Sequence, residues 1–341
     1  MKMIKRLRSM NMNMQDAVPF IAFIVIFVFF SIASYNERNG TFRMLTAFNL
    51  NMILDQSMLT ILVGSGVLFV IAQGSIDLSV GVNLAISGVI ATLVATATGL
   101  DFILVPLSLI TGLAVGLFNG LIVSKYKVPS FMLTIAMLIG VRGLVNFIQT
   151  RTHTQRFPDS LTFLNTPSIK ITLFVIIVLI MAYVFEFTKI GRYSRAIGEN
   201  ETAAKFVGVP VGRIKLFAFA LAGLMSGVAS VFSLATIGAT SQQMGVFLEM
   251  RVLMAIFLGG VLVTGGSSAK FYKLILGSLS ITIIINGLAI MGRSDSHISQ
   301  TVQGLLLLLI LIISISAGRR AERYKEAPDS GKKEDRSTDA Q

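Results

Sequence analysis

The chain has no cysteine among its 341 residues, which excludes a disulfide framework, a thiol nucleophile and a Cys-ligated metal site. Histidine is almost missing too: His153 and His297 stand far apart, each isolated in an expected loop. No Gly-x4-Gly-Lys-Ser/Thr phosphate loop occurs, so ATP hydrolysis by that device lies outside this chain, and neither a zinc-protease nor a serine-hydrolase motif is present. Charge is scarce as well. Only 13% of the residues are Asp, Glu, Lys or Arg, against 54% hydrophobic, and the mean hydropathy is +0.78. That balance belongs to an integral membrane protein.

What the chain does have is a series of apolar stretches long enough to cross a bilayer, each needing about 20 residues. They fall near 18–34, 54–73, 80–98, 102–123, 129–149, 169–187, 214–236, 251–267, 271–291 and 301–318. The expected fold is an all-α polytopic membrane protein of about ten transmembrane helices. Residues 1–17 form an N-terminal segment, 18–318 the transmembrane domain, and 319–341 a charged tail without apolar periodicity, expected to be disordered.

Loop charge sets the expected orientation. With the N-terminus placed inside, 21 of the 29 Lys and Arg fall at inner loops and tails, which supports both termini in the cytoplasm and an even number of spans. The same asymmetry accounts for the basic excess over 17 Asp and Glu, so nucleic acid is not an expected partner. The first span resembles a signal peptide in its flanks, with Ser31-Ile32-Ala33 as a passable cleavage site, but is read as a retained helix.

Two places interrupt the pattern. GSIDLSVG, residues 74–81, is a polar turn between two spans, and irregular backbone at membrane depth needs cover from protein or a water-filled cavity. Asp77 or Ser79 would cap the following helix, or Asp77 would meet solute. Arg142 lies well inside a span, where a guanidinium costs about 2.5–3.5 kcal/mol and therefore seeks a partner or a polar cavity. It either satisfies backbone carbonyls or touches solute. A fainter signal is the echo of FNGLIV at 118–123 by INGLAI at 285–290, which places Asn119 and Asn286 on helices of opposite direction. That suits an inverted repeat in which spans two to five match seven to ten.

Residues 188–213 form the largest charged loop, at an expected inner face. Glu199 to Val207 are helix formers, with Glu199 or Asn200 available as N-cap, Gly208 as a stop and Pro210 just beyond. Ala203, Ala204 and Val207 would give this short helix a small apolar face, suited to a groove on another protein.

Here the chain resembles a family. GRYSRAIGENETAAKFVGV at 191–209 is similar to the cytoplasmic segment of ATP-binding-cassette importer permeases of the ribose, galactose, xylose and autoinducer-2 type. GSIDLSVG, VPSFMLTIAMLIGVRGL at 128–144 and the Asn-Gly of span four extend the match in order over most of residues 50–320. The resemblance implies that the loop carries a coupling helix docking on a separate ATPase subunit, with Glu201, Ala203, Ala204 and Gly208 at the contact. It implies ATP and Mg on that partner and no cofactor or metal in this chain. It also implies an extracytoplasmic binding protein that delivers the sugar, a second permease copy or paralogue, and a place in the bacterial inner membrane. Asp77, Ser79 and Arg142 fall on family motif positions near the translocation region. Asn119 and Asn286 join them as candidates for the path. One departure stands out: Glu249 and the paired glycines are kept, but Arg251 occupies a position where the family shows Asp. The alternative reading is a self-contained secondary transporter, for which Asp77 alone supplies few coupling acids.

Overall fold

The computed structural model describes residues 14–36, 40–152 and 154–291, with isolated positions between 301 and 312. The helices are α1 (Met14–Ala33), α2 (Ala47–Ala72), α3 (Val80–Thr98), α4 (Leu104–Tyr126), α5 (Ser130–Thr152) and α6 (Pro167–Phe187). They continue with α7 (Lys189–Glu199), α8 (Glu201–Phe206), α9 (Val211–Ile237), α10 (Leu248–Leu258) and α11 (Phe271–Ile290). A two-residue hairpin, β1 (Tyr35–Asn36) with β2 (Thr41–Phe42), joins α1 to α2. Among the described residues, seven helical segments are long and apolar enough to cross a membrane.

The centre is the crossing of α2 and α9. Beyond their polar first turns both are apolar on every side, which is the pattern of a helix surrounded by other helices. Small residues bring their backbones together: a Cβ placed on Gly66 would lie 2.6 Å from the Ala222 Cα. The same device fastens α4 to α9, where Gly112 and Gly116 face Gly223 and Gly227 with no room for side chains. Ser108 Oγ donates to the Gly227 carbonyl at 2.9 Å, and Asn83 Nδ2 of α3 donates to the Gly112 carbonyl at 3.1 Å. Outside this centre, α5 and α6 expose Met132, Ile139, Phe147, Leu179 and Tyr183, an apolar belt facing outward.

Three expectations change. Span two starts at Ala47 rather than 54, because Thr46 caps the helix by accepting from Asn49 N, and the polar first turns extend it. The stretch 251–267 is not one span: α10 ends at Leu258. Gly259 packs against the Lys273 carbonyl so closely that a Cβ would come within 2.0 Å of it, and Gly260 turns the chain at φ 83°. The loop 188–213 holds two helices, α7 and α8, where one was expected. Residues 1–13, the tail 319–341, His153, His297 and most of the expected span 301–318 lie outside the described residues.

Candidate functional site

The turn between α2 and α3 is held by hydrogen bonds from its own residues and from α4 and α5. Asp77 is buried, and one of its oxygens accepts from Ser79 N at 2.9 Å and Ser79 Oγ at 2.7 Å. Asn119 Nδ2 of α4 then donates to Ser79 Oγ at 2.8 Å. From α5, Ser130 Oγ accepts from Ile76 N at 3.1 Å, and Thr134 Oγ1 reaches the Ile76 carbonyl at 3.4 Å. Asp77 therefore fixes the turn one residue ahead of α3, and no side chain at Ser79 caps the helix. The three candidates Asp77, Ser79 and Asn119 form one cluster.

Arg142 belongs to a second cluster. Loop 239–247, between α9 and α10, dips along α3 from Gly88, where Met244 packs, to Gly81. Its irregular backbone leaves the carbonyl of buried Met244 facing Arg142, whose Nη1 donates to it at 2.9 Å and to the exposed Gln242 O at 3.5 Å. This explains a guanidinium inside a span: it replaces the backbone partners the loop lacks. Gly245 and Gly81 meet backbone to backbone, a Cβ on Gly245 coming within 2.0 Å of the Gly81 carbonyl. Glu249 lies over the same turn of α3, 5% exposed, and is attracted electrostatically by Arg142. Its Oε2 has no hydrogen-bond partner among the described residues, and neither has the buried Nε of Arg251 two positions on. The two clusters share the start of α3. Asn286 stands apart, donating to Gln56 Oε1 and the Thr282 carbonyl, both at 3.0 Å.

At the end of the bundle that carries most of the described Lys, α8 projects between α7 and α9. Asn200 Oδ1 accepts from Ala203 N at 2.9 Å and caps it, and Gly208 at φ 85° ends the reversal. Glu201 pairs with Lys215 at 2.7 Å. Ala204 is turned inward, against Ile197, Val209 and Ile214. Ala203 is exposed, and beside it Phe206 and Val207 are 87% and 80% exposed. Phe206 was not singled out by the sequence, because one aromatic in a basic loop has no periodic signal. Next to α8 opens a cleft of about 740 Å³ lined by Lys127, Lys205, Arg213 and Lys215.

Residues 49–313 match the family model described as the branched-chain amino acid transport system / permease component. The chain belongs to this permease family. It is thus a multi-pass membrane protein and a transport subunit. It is 28% identical over 283 residues to the ribose import permease of Escherichia coli K12, covering 79% of this chain and 86% of that one. To the ribose import permease of Haemophilus influenzae it is 30% identical over 259 residues, 73% and 80% of the two chains. To the autoinducer 2 import permease of Yersinia pseudotuberculosis YPIII it is 30% identical over 299 residues, 85% and 83%. No solved structure matches the chain.

Proposed function

We propose that this permease is the membrane-spanning subunit of an ATP-binding-cassette importer for a sugar or sugar-like solute, driven by a separate ATPase that docks on α8. The observation that carries the reading is an exposed apolar tip, Phe206 and Val207 with Ala203, on a capped helix at the charged end of the bundle. Exposed aromatic anchors of this kind suit a groove on a partner protein. Glu201 and Gly208 flank the tip, whereas Ala204 holds α8 to its own bundle. ATP and Mg belong to the partner. An extracytoplasmic binding protein hands over the solute, and a second permease copy or paralogue completes the path.

The same reading places the charged end in the cytoplasm of a bacterial inner-membrane protein with both termini inside. We read the ten apolar stretches as an inverted repeat, with α10 and the broken segment after it in the place of the eighth span. Exchanging α2 with α9, α3 with α10 and α4 with α11 turns the contact of α4 on α9 into that of α11 on α2. It likewise turns α3 on α4 into α10 on α11, and α3 on α9 into α10 on α2; all six contacts are present. The pair α2 and α9 maps onto itself, as a pseudo-twofold axis through the centre requires.

Transport would proceed by alternating access, with nucleotide-driven movement of α8 tilting the helices around the start of α3. Affinity purification in mild detergent tests the docking. Wild type should bring down a Walker-type ATPase, and Phe206→Asp/Val207→Asp should lose it while remaining in the membrane at normal yield. A wild-type chain that comes alone and moves solute without ATP would favour a secondary transporter instead.

A further inference from the structure

Between the exposed α8 and the membrane helices lies α7, whose last residue is an acid. A carboxylate at a helix C-terminus opposes the helix dipole, so Glu199 is held there by something outside its own helix. That partner is Ser267, whose backbone N donates to Glu199 Oε1 at 2.8 Å and whose hydroxyl donates to the same oxygen. Ser267 sits in the segment 259–270 that joins α10 to α11.

The contact is one part of a node. Gly198 packs on the end of α2 and on the same segment, a Cβ there lying 2.1 Å from the Ala72 carbonyl and 2.5 Å from Gly266 N. Gly265 presses on the Ile71 and Ala72 carbonyls, and Gly74 on the Thr264 carbonyl. Gln73 Nε2 donates to Ser194 Oγ of α7 at 3.0 Å and to the Ile214 carbonyl of α9 at 3.2 Å. One turn before Glu199, Arg195 holds α7 to Glu186 at 2.9 Å, and Glu186 accepts the N–H of Phe271, the first residue of α11, at 2.8 Å. Thus α7 touches the end of α2 just ahead of the turn 74–79 and also the segment 259–270, and these two are joined by Gly74 on Thr264. Asn200 links it directly to α8.

We infer that α7 is an internal coupling element and that Glu199 is its positioning residue, passing movement of α8 to the two turns through Ser267. This rests on the reading of α8 as the ATPase contact. A merely adhesive Glu199 would hold the fold together but leave the turns free to follow nucleotide by other routes.

The cysteine-free chain allows a direct test in the purified complex with its ATPase. Single reporters, Ser75→Cys in the first turn and Thr264→Cys in the second segment, are labelled with N-ethylmaleimide with and without ATP and Mg. In the otherwise native chain, nucleotide should change both labelling rates. Glu199→Ala should still co-purify the ATPase and hydrolyse ATP, while the nucleotide dependence of both rates falls about 10-fold. Glu199→Gln, which keeps an acceptor oxygen, should recover much of it. Reporters that ignore nucleotide in the native complex, or respond fully in Glu199→Ala, would overturn the inference, as would loss of the ATPase from Glu199→Ala. A native chain that recovers no ATPase would instead bring down the docking reading on which this one rests.

Discussion

Asp77 and Glu249 are both buried acids beside the first turn of α3, yet their surroundings differ. Asp77 accepts two hydrogen bonds within its own turn, and Asn119 buttresses that turn from α4. Glu249 has an oxygen without a hydrogen-bond partner among the described residues, with the charge of Arg142 as a weak electrostatic attraction. An acid whose oxygen accepts two hydrogen bonds from its own turn sets geometry; a buried acid oxygen without a partner can change partners when its surroundings move. The turn 74–79 is therefore the fixed side of the centre, and loop 239–247 with Glu249 the adjustable side.

Substitutions can break or sharpen this contrast. The largest effect is expected for Gly245→Ala, where a left-handed backbone and the Gly81 carbonyl leave no place for a methyl group. It should cost about 4 kcal/mol and separate the loop from α3, read as a large drop in thermal stability in a fixed detergent. Asp77→Ala comes next, at about 3 kcal/mol, since the Ser79 amide and hydroxyl both lose their acceptor in a buried site. Unchanged melting of Asp77→Ala would mean that the turn is held by Ser130 and Asn119 alone. Arg142→Ala should cost about 2 kcal/mol by stranding the Met244 and Gln242 carbonyls, visible as faster proteolysis within 239–247. Glu249→Gln is expected to be the mildest, within about 1 kcal/mol, while altering transport. A Glu249→Gln protein as unstable as Asp77→Ala would erase the distinction between the two acids.

The sequence discloses the bundle better than its interruptions. The apolar lengths of α3, α4, α5, α6, α9 and α11 are local properties, and each emerges near its expected limits. The reversal at α8 is equally legible, since an Asn cap and a Gly stop act within a few residues. The end of α10 at Leu258 is legible in part: FLGGVLV is apolar throughout, its glycines with Gly265 and Gly266 point to close helix packing or a broken helix, and the packing of Gly259 on α11 shows both. In α7 the charges of KIGRYSRAIGE conceal a face, Gly191, Ser194 and Ile197, that is buried against Phe185 of α6, Gln73 after α2, and Ala204, Val209 and Ile214. The same holds for the candidate site. Asp77 and Ser79 are neighbours in sequence, but the link to Asn119 spans 40 residues, and the contacts of Glu249 with Gly81 and of Arg142 with loop 239–247 depend on three separate helices. Turning Ala204 inward and Phe206 outward depends on how α8 sits on Ile197 and Ile214, which no local pattern specifies.

The docking of a partner ATPase on α8 is tested most directly by a photoreactive phenylalanine analogue placed at Phe206 and irradiated in native membranes, with Tyr183 on the apolar belt as control. An adduct with a Walker-type ATPase from position 206, absent from position 183, is the predicted result. Position 206 yielding lipid adducts alone would contradict it.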